Sequence, residues 1–225
     1  MRQLLLNILL RDEATFDNFY AGRNQSVLDY LKNPAESFLY VYSKSHSGLT
    51  HILQALCKSQ KSCLYIPFEQ LSEFTPEILE NLFELELIII DDIEKIAGQY
   101  VWENKIFDLY NQLLQHQKKL IVSSHVLPQQ LNINLNDLKS RLQSMLLLTL
   151  EELNDEEKIA ALQKRAQHRG LQLSDEVAQF LIHRVPRDMA KLFEILRHLD
   201  RHSLEANRRL TIPFIKKVLY TEPFV

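Results

Sequence analysis

Short apolar runs recur along the first 150 residues, and the stretches between them carry apolar residues at helical spacing. No other feature limits the fold as much. Residues 38–42 (FLYVY) read as a buried strand, and Leu49, Ile52, Leu53, Leu56 and Cys57 then follow the i, i+3, i+4 spacing of an amphipathic helix. Residues 62–66 make a second strand. Thr75-Pro76 is predicted to open a helix, with proline at the first position, where its missing N–H matters least. Residues 85–90 (LELIII) make a third strand, apolar enough for a sheet covered on both faces. Trp102, Ile106, Phe107, Leu109, Tyr110 and Leu113 form a helical stripe, with further strands at 120–123 and 145–150. Strands alternating with helices imply a parallel sheet joined by right-handed crossovers.

The pattern changes beyond residue 150. Asn154 with Glu157 makes a capping box, and Gly170 suits a helix end, so a helix is predicted over 155–169. Ser174 caps a second that ends near Pro186. Met189, Leu192, Phe193, Leu196 and Leu199 mark a third, and Pro213 opens a short fourth. The reading is an α/β domain over 11–150 followed by a small all-helical domain over 151–225.

At 46% hydrophobic and 24% charged residues, the composition is that of an ordered, soluble protein. No run approaches the roughly 18 apolar residues of a membrane helix, so no membrane partner is expected. The opening MRQLLLNILLRDE is short, is closed by charges and lacks a small-residue cleavage site, so it does not read as a signal peptide. Cys57 and Cys63 are too few for a disulfide framework or a zinc site, which fits a reducing, cytoplasmic location. Residues 1–150 carry 13 Lys/Arg against 17 Asp/Glu, and residues 151–225 carry 13 against 12. Neither half has the basic excess that gripping a DNA backbone requires, so strong direct DNA binding is not expected.

The segment after the first strand, Ser43-Lys44-Ser45-His46-Ser47-Gly48-Leu49-Thr50, occupies the place of a G-x-x-x-x-G-K-[ST] phosphate loop. Gly48 and Thr50 fit, Ser43 replaces the first glycine, and Leu49 replaces the lysine. That lysine sets a charge on the β- and γ-phosphates, and leucine offers none. Helix-start N–H groups can still cradle a phosphate, and Lys44 or His46 could supply charge. Alone, one Gly and one Thr describe an ordinary turn. The third strand adds to the argument, because Ile88-Ile89-Ile90-Asp91-Asp92 is a strand ending in two acids, the form of a Walker B element. In phosphate-loop proteins one acid helps hold Mg²⁺ and a neighbour can orient water. One helix and one strand between the two elements fit the AAA+ order.

Several segments carry a closer resemblance. Thr15-Phe16-Asp17-Asn18-Phe19 with Gly22 and Asn24 resembles the signature before the first strand of DnaA-type initiators. Ile90-Asp91-Asp92-Ile93 with Ala97-Gly98 resembles their Walker B region, and Leu138-Lys139-Ser140-Arg141 their arginine-finger box. Trp102-Glu103, Ile106 to Asn111, Leu199-Asp200-Arg201 and Leu210 to Phe214 are similar to the Hda-type regulators, homologues of DnaA without its helix-turn-helix domain, and on this resemblance no such domain is expected here.

The resemblance implies a P-loop AAA+ domain with a helical lid, and a regulator of replication initiation. Such proteins bind the DNA-loaded sliding clamp and promote hydrolysis of the ATP held by DnaA, so the initiator DnaA and the clamp are the expected partners, with a homo-oligomer left open. It implies that Arg141 is an arginine finger acting in trans, the bland alternative being a surface arginine in a basic stretch. It implies nucleotide contacts from Gly48, Thr50, Asp91, Asp92, His125 and the sensor arginine Arg187, with Mg²⁺ on Thr50 and Asp91. His125 stands where the family usually has an acidic sensor. Residues 1–10 would be a clamp-binding segment through Gln3, Leu4, Leu6 and Ile8, with Asn7 where the usual peptide has proline; the alternative is an apolar N-terminal strand. ADP or ATP with Mg²⁺ is the implied cofactor, an expectation that Leu49 weakens, and the chain's own ATPase turnover is expected to be negligible. The competing classes are an AAA+ ATPase that turns over its own nucleotide and an AAA+-shaped scaffold that binds replication proteins without functional nucleotide binding.

Overall fold

A computed structural model describes residues 14–44, 47–185, 188–206 and 208–221. The chain divides into two compact units. The larger takes residues 14–16, 24–44 and 49–151; the smaller takes 17–23, 47–48 and the described residues from 152 onward.

In the larger unit, β1 (Phe38–Ser43), β2 (Cys63–Pro67), β3 (Leu87–Asp91), β4 (Lys119–Ser124) and β5 (Leu146–Leu150) form one parallel sheet in the order β2-β3-β4-β1-β5. β4 lies between β1 and β3, so the carboxyl ends of these three strands sit side by side. All five residues of β3 are buried, which is why its sequence is a continuous apolar run rather than an alternation. The helices are α1 (Gln25–Lys32), α2 (Leu49–Ser59), α3 (Tyr100–Gln115) and α4 (Asn136–Ser144). Trp102, Ile106, Leu109 and Leu113 place the buried stripe of α3 in the core with Ile88 and Ile90 of β3 and Leu138 and Leu142 of α4.

The helix predicted from Thr75-Pro76 is not an α-helix. Proline does stand at the start of the element, but the element is a four-residue 3₁₀ turn, Pro76–Leu79, between two others, Phe68–Glu73 and Leu82–Glu84. Apolar residues do recur there, and Leu71, Ile78 and Leu82 pack against the core beside the buried Phe68 and Leu79, but Glu80 is extended (φ -85°, ψ 141°), so the helix stops after one turn. Asn81, in the left-handed region at φ 61°, separates the last two.

Asn24 explains one position of the DnaA-type signature. Its buried side-chain amide donates to the Glu151 carbonyl at 2.9 Å and accepts from the Glu151 N–H at 2.8 Å, satisfying the backbone just past the end of β5.

In the smaller unit, α5 (Asp155–His168), α6 (Asp175–Arg184), α7 (Met189–Ala206) and α8 (Ile212–Thr221) pack around Leu162, Ala166, Leu181, Leu196, Leu199 and Ile215. No strand follows Leu150 among the described residues. The capping box at α5 forms as the spacing predicts: the Glu157 N–H donates to Asn154 Oδ1 and the Asn154 N–H to Glu157 Oε2. Glu157 also accepts from the Arg23 backbone N–H and guanidinium, and a Cβ on Gly22 would come within 2.8 Å of its carboxylate. The signature glycine therefore admits this contact.

Asn154→Ala is expected to lower stability by about 1 kcal/mol through loss of the cap, read as a lower urea midpoint. An unchanged midpoint would show that the cap contributes nothing.

Candidate functional site

The acids that end β3 occupy two different environments. Asp91 is 2% exposed, and a carboxylate this deep needs donors to replace water. Two neighbouring strands supply them: the Tyr65 hydroxyl of β2 donates to Oδ2 at 2.6 Å, and the Ser123 hydroxyl of β4 donates to Oδ1 in a very short bond. Burial first, and then the Asp91 charge, push the Tyr65 phenol far above its ordinary value, so it remains a donor.

Asp92 takes the left-handed conformation (φ 63°, ψ 52°), which aspartate tolerates better than most residues. Its N–H donates to Ser123 Oγ at 3.2 Å. Burial, Asp91 and Glu94 push the Asp92 carboxyl up to about 6, against a smaller opposing effect of His125. Its Oδ1 lies 3.7 Å from His125 Nε2.

Glu94, in the 3₁₀ turn Ile93–Ile96, accepts from Ser124 Oγ at 2.7 Å and from the His125 N–H at 3.1 Å. That fixes the chain where β4 ends. His125 Nδ1 lies 2.7 Å from the Ser43 carbonyl. A carbonyl can only accept, so Nδ1 carries a proton and Nε2 is the nitrogen presented to Asp92. The ring thus spans from the last residue of β1, where the phosphate loop begins, to the second acid.

Ser43 is fully buried, and Lys44 is exposed. Gly48 stands at φ +86°, and a Cβ there would lie 2.9 Å from the Phe19 ring, so both conformation and space demand glycine. Leu49 begins α2 and is 3% exposed. Its side chain is therefore packed into the protein, and the position supplies hydrophobic burial where a phosphate-binding lysine would supply charge. Thr50 follows at the helix start, where free N–H groups and the helix dipole favour an anion.

The structure thus gathers Ser43, Asp91, Asp92 and His125, as the sequence motifs suggest, and adds Tyr65, Ser123 and Glu94. The hydroxyl and acid types of Thr50 and Asp91 suit Mg²⁺ with a nucleotide, but among the described residues no group of three acids, histidines or cysteines could hold a metal alone. Arg141 is not in this cluster. It is exposed on α4, with its guanidinium carbon 5.5 Å from the centre of the Tyr110 ring on α3. Gln3, Leu4, Leu6, Ile8, His46 and Arg187 lie outside the described residues.

The raised Asp92 carboxyl generates a pH prediction. Such a group binds its proton more tightly when folded, so its ionisation costs stability. The cost is absent below the ordinary value of 3.8, grows as pH rises toward about 6 and is complete above it. Asp92→Asn should therefore be more stable than wild type above pH 6, by on the order of 1–3 kcal/mol, with the difference vanishing toward pH 4. Melting temperatures across that range test this, and a constant difference would contradict it.

Two family models match this chain. The bacterial DnaA ATPase domain matches residues 10–150, and the Hda lid domain matches residues 155–219. Among solved structures, domain III of the replication initiation protein DnaA from Thermotoga maritima is similar at a TM-score of 0.79 and 21% identity, over 95% of this chain and 98% of that one. AMPPCP-bound DnaA from Aquifex aeolicus gives 0.67 at 21% identity, over 84% of this chain and 66% of that one. The Thermotoga maritima RuvB Holliday junction branch migration motor gives 0.67 at 14% identity, over 94% and 72%.

Proposed function

The chain belongs to the DnaA family of AAA+ proteins, and from that premise we propose that it regulates replication initiation by promoting hydrolysis of DnaA-bound ATP, together with the DNA-loaded sliding clamp. The observation that carries this reading is the pairing, in one chain, of a DnaA-type ATPase domain with an Hda-type lid. Two features of the site support it. The phosphate loop has a buried leucine where hydrolysis in cis relies on a lysine. Arg141 is exposed on α4, free of the acid cluster and available to a neighbouring molecule.

In this account the chain turns over no ATP of its own. Any nucleotide it holds would be bound weakly; Thr50 and Asp91 are the residues that would hold Mg²⁺, and Asp92 and His125 those that would contact the nucleotide. Chemistry takes place on DnaA's nucleotide, where the Arg141 guanidinium neutralises charge developing on the γ-phosphate. The N-terminal Gln3, Leu4, Leu6 and Ile8 dock on the clamp, and Arg187 serves as the sensor arginine. The buried Leu49 also favours a second reading, an AAA+-shaped scaffold without functional nucleotide binding. Titration with fluorescent ADP separates the two readings of the loop.

Arg141→Ala should retain clamp binding and melting temperature and lose stimulation of DnaA-ATP hydrolysis. Fingers supplied in trans are worth on the order of 10³–10⁵ in rate in well-studied GTPases, and lysine lacks the planar fork. Wild-type stimulation by the alanine variant would make Arg141 a surface charge only. Gln3→Ala with Leu6→Ala should abolish clamp binding and leave the fold intact, because binding energy concentrates in a few anchors. Unchanged affinity for the clamp would sink that assignment.

A further inference from the structure

Glu103 lies in the first turn of α3, is completely buried, and pairs with no cation among the described residues. Its carboxylate is satisfied entirely by backbone. Oε1 accepts from the Gly98 N–H at 2.8 Å, both oxygens accept from the Asn134 N–H at 3.1 and 3.0 Å, and Oε2 accepts from the Leu135 N–H at 2.8 Å. Charge-assisted bonds of this kind are shorter and roughly twice as strong as neutral ones. Buried backbone N–H groups without a partner are costly, so the three amides and the carboxylate hold one another in place.

The location of these amides matters. Gly98 closes the segment that leaves Asp91 and Asp92 through the 3₁₀ turn Ile93–Ile96. Asn134 and Leu135 immediately precede α4, whose first residue is Asn136 and which carries Arg141. Glu103 therefore clamps the exit of the acid pair to the entrance of the helix bearing the arginine. Two further contacts fasten α4 to α3: Leu138 and Leu142 are buried in the same core as Trp102 and Ile106, and the Arg141 guanidinium lies over the ring of Tyr110, two turns along α3 from Glu103. An apolar side chain here would fill the space but leave the amides of Gly98, Asn134 and Leu135 without their acceptor, so the carboxylate serves to hold those backbone groups.

We propose that Glu103 is the positioning residue for Arg141: its carboxylate fixes the start of α4 and so sets where the guanidinium is presented to the nucleotide of the neighbouring DnaA. This rests on Arg141 acting in trans, as proposed above. Glu103 touches no substrate and acts only through α4. Because the same carboxylate holds Gly98, the presentation of Arg141 is tied mechanically to the segment that follows the acid pair.

The test uses the full chain with DnaA-ATP and clamp-loaded DNA, measuring the stimulated rate at saturating protein, the half-saturating concentration and clamp binding. Glu103→Gln keeps the shape but turns an N–H₂ toward N–H donors. It should bind the clamp normally, with little change in half-saturating concentration, and lower the saturating rate about tenfold to 10²-fold, the loss that a misplacement of about 1 Å produces. Placed on Arg141→Lys, which retains a weakened finger, it should cost less than it does alone, because the finger it positions is already impaired. A merely structural role would lower the melting temperature and leave the saturating rate of the folded fraction unchanged. A wild-type saturating rate in Glu103→Gln, or a full additive loss on Arg141→Lys, would overturn the proposal. Should Glu103→Gln not fold, Glu103→Asp carries the same readouts, and the wild-type amides of Asn134 and Leu135 must exchange slowly with deuterium; exchange at surface rates overturns it as well. Undiminished stimulation by Arg141→Ala would instead remove the finger itself, which separates the two failures.

Discussion

A carboxylate withdrawn from water must be met by donors, and the organisation of this site follows from how that requirement is met at Asp91. The strand that delivers it, Leu87–Asp91, is buried along its whole length. Little solvent reaches the acid, so hydroxyls from the strands on either side must, and Tyr65 and Ser123 do. Side-by-side pairing of β2, β3 and β4 is what makes those donors available. With Asp91 held, Asp92 turns through the left-handed region, Glu94 takes the end of β4, and His125 is left spanning the gap to Ser43. The site is thus a consequence of strand order and of one buried charge.

Much of this was legible in the sequence, and the reasons are physical. Apolar runs of four to six residues set between helical patterns suit strands of a parallel sheet, so all five strands are legible in the hydropathy, although the same signal at β5 belongs to a largely exposed edge strand. Capping chemistry is local, so α5 and its box at Asn154 and Glu157 were found as well. Elements stabilised by tertiary contact were not. α4 has a largely polar sequence and shows only Leu138 and Leu142 to the core. Its start is held by Glu103, thirty-one residues away, and no periodicity records that bond. Thr75-Pro76 marks a helix start, but no local signal records the extended Glu80 and left-handed Asn81 that stop the element after one turn. Among site residues, Asp91, Asp92 and His125 could be named from strand ends. Tyr65 and Glu94 could not, since a tyrosine in a strand and a glutamate in a turn have many ordinary uses. Glu103 was visible as part of a family-like segment, but its role emerged only with its three backbone partners in view.

The phosphate loop shows what the loss of one residue can mean. Gly48 retains the geometry such a loop needs, with its left-handed φ and the Phe19 ring against it. Leu49 does more than omit a charge, because its side chain has joined the interior. On the proposed function, a loop with this turn and a buried leucine belongs to a chain that acts on a nucleotide held by another molecule. The two buried carboxylates then serve different ends, Asp91 ordering the chain's own strand ends and Glu103 ordering the helix that faces outward.

The most direct measurement is single-turnover hydrolysis of labelled ATP preloaded on DnaA, with clamp-loaded DNA and catalytic amounts of this chain, alongside the chain incubated alone with ATP. The account predicts rapid loss of the DnaA-bound ATP only in the complete mixture, and no turnover by the chain alone. Turnover by the isolated chain at an ordinary AAA+ rate, or no acceleration of DnaA-bound ATP hydrolysis in the complete mixture, would contradict it.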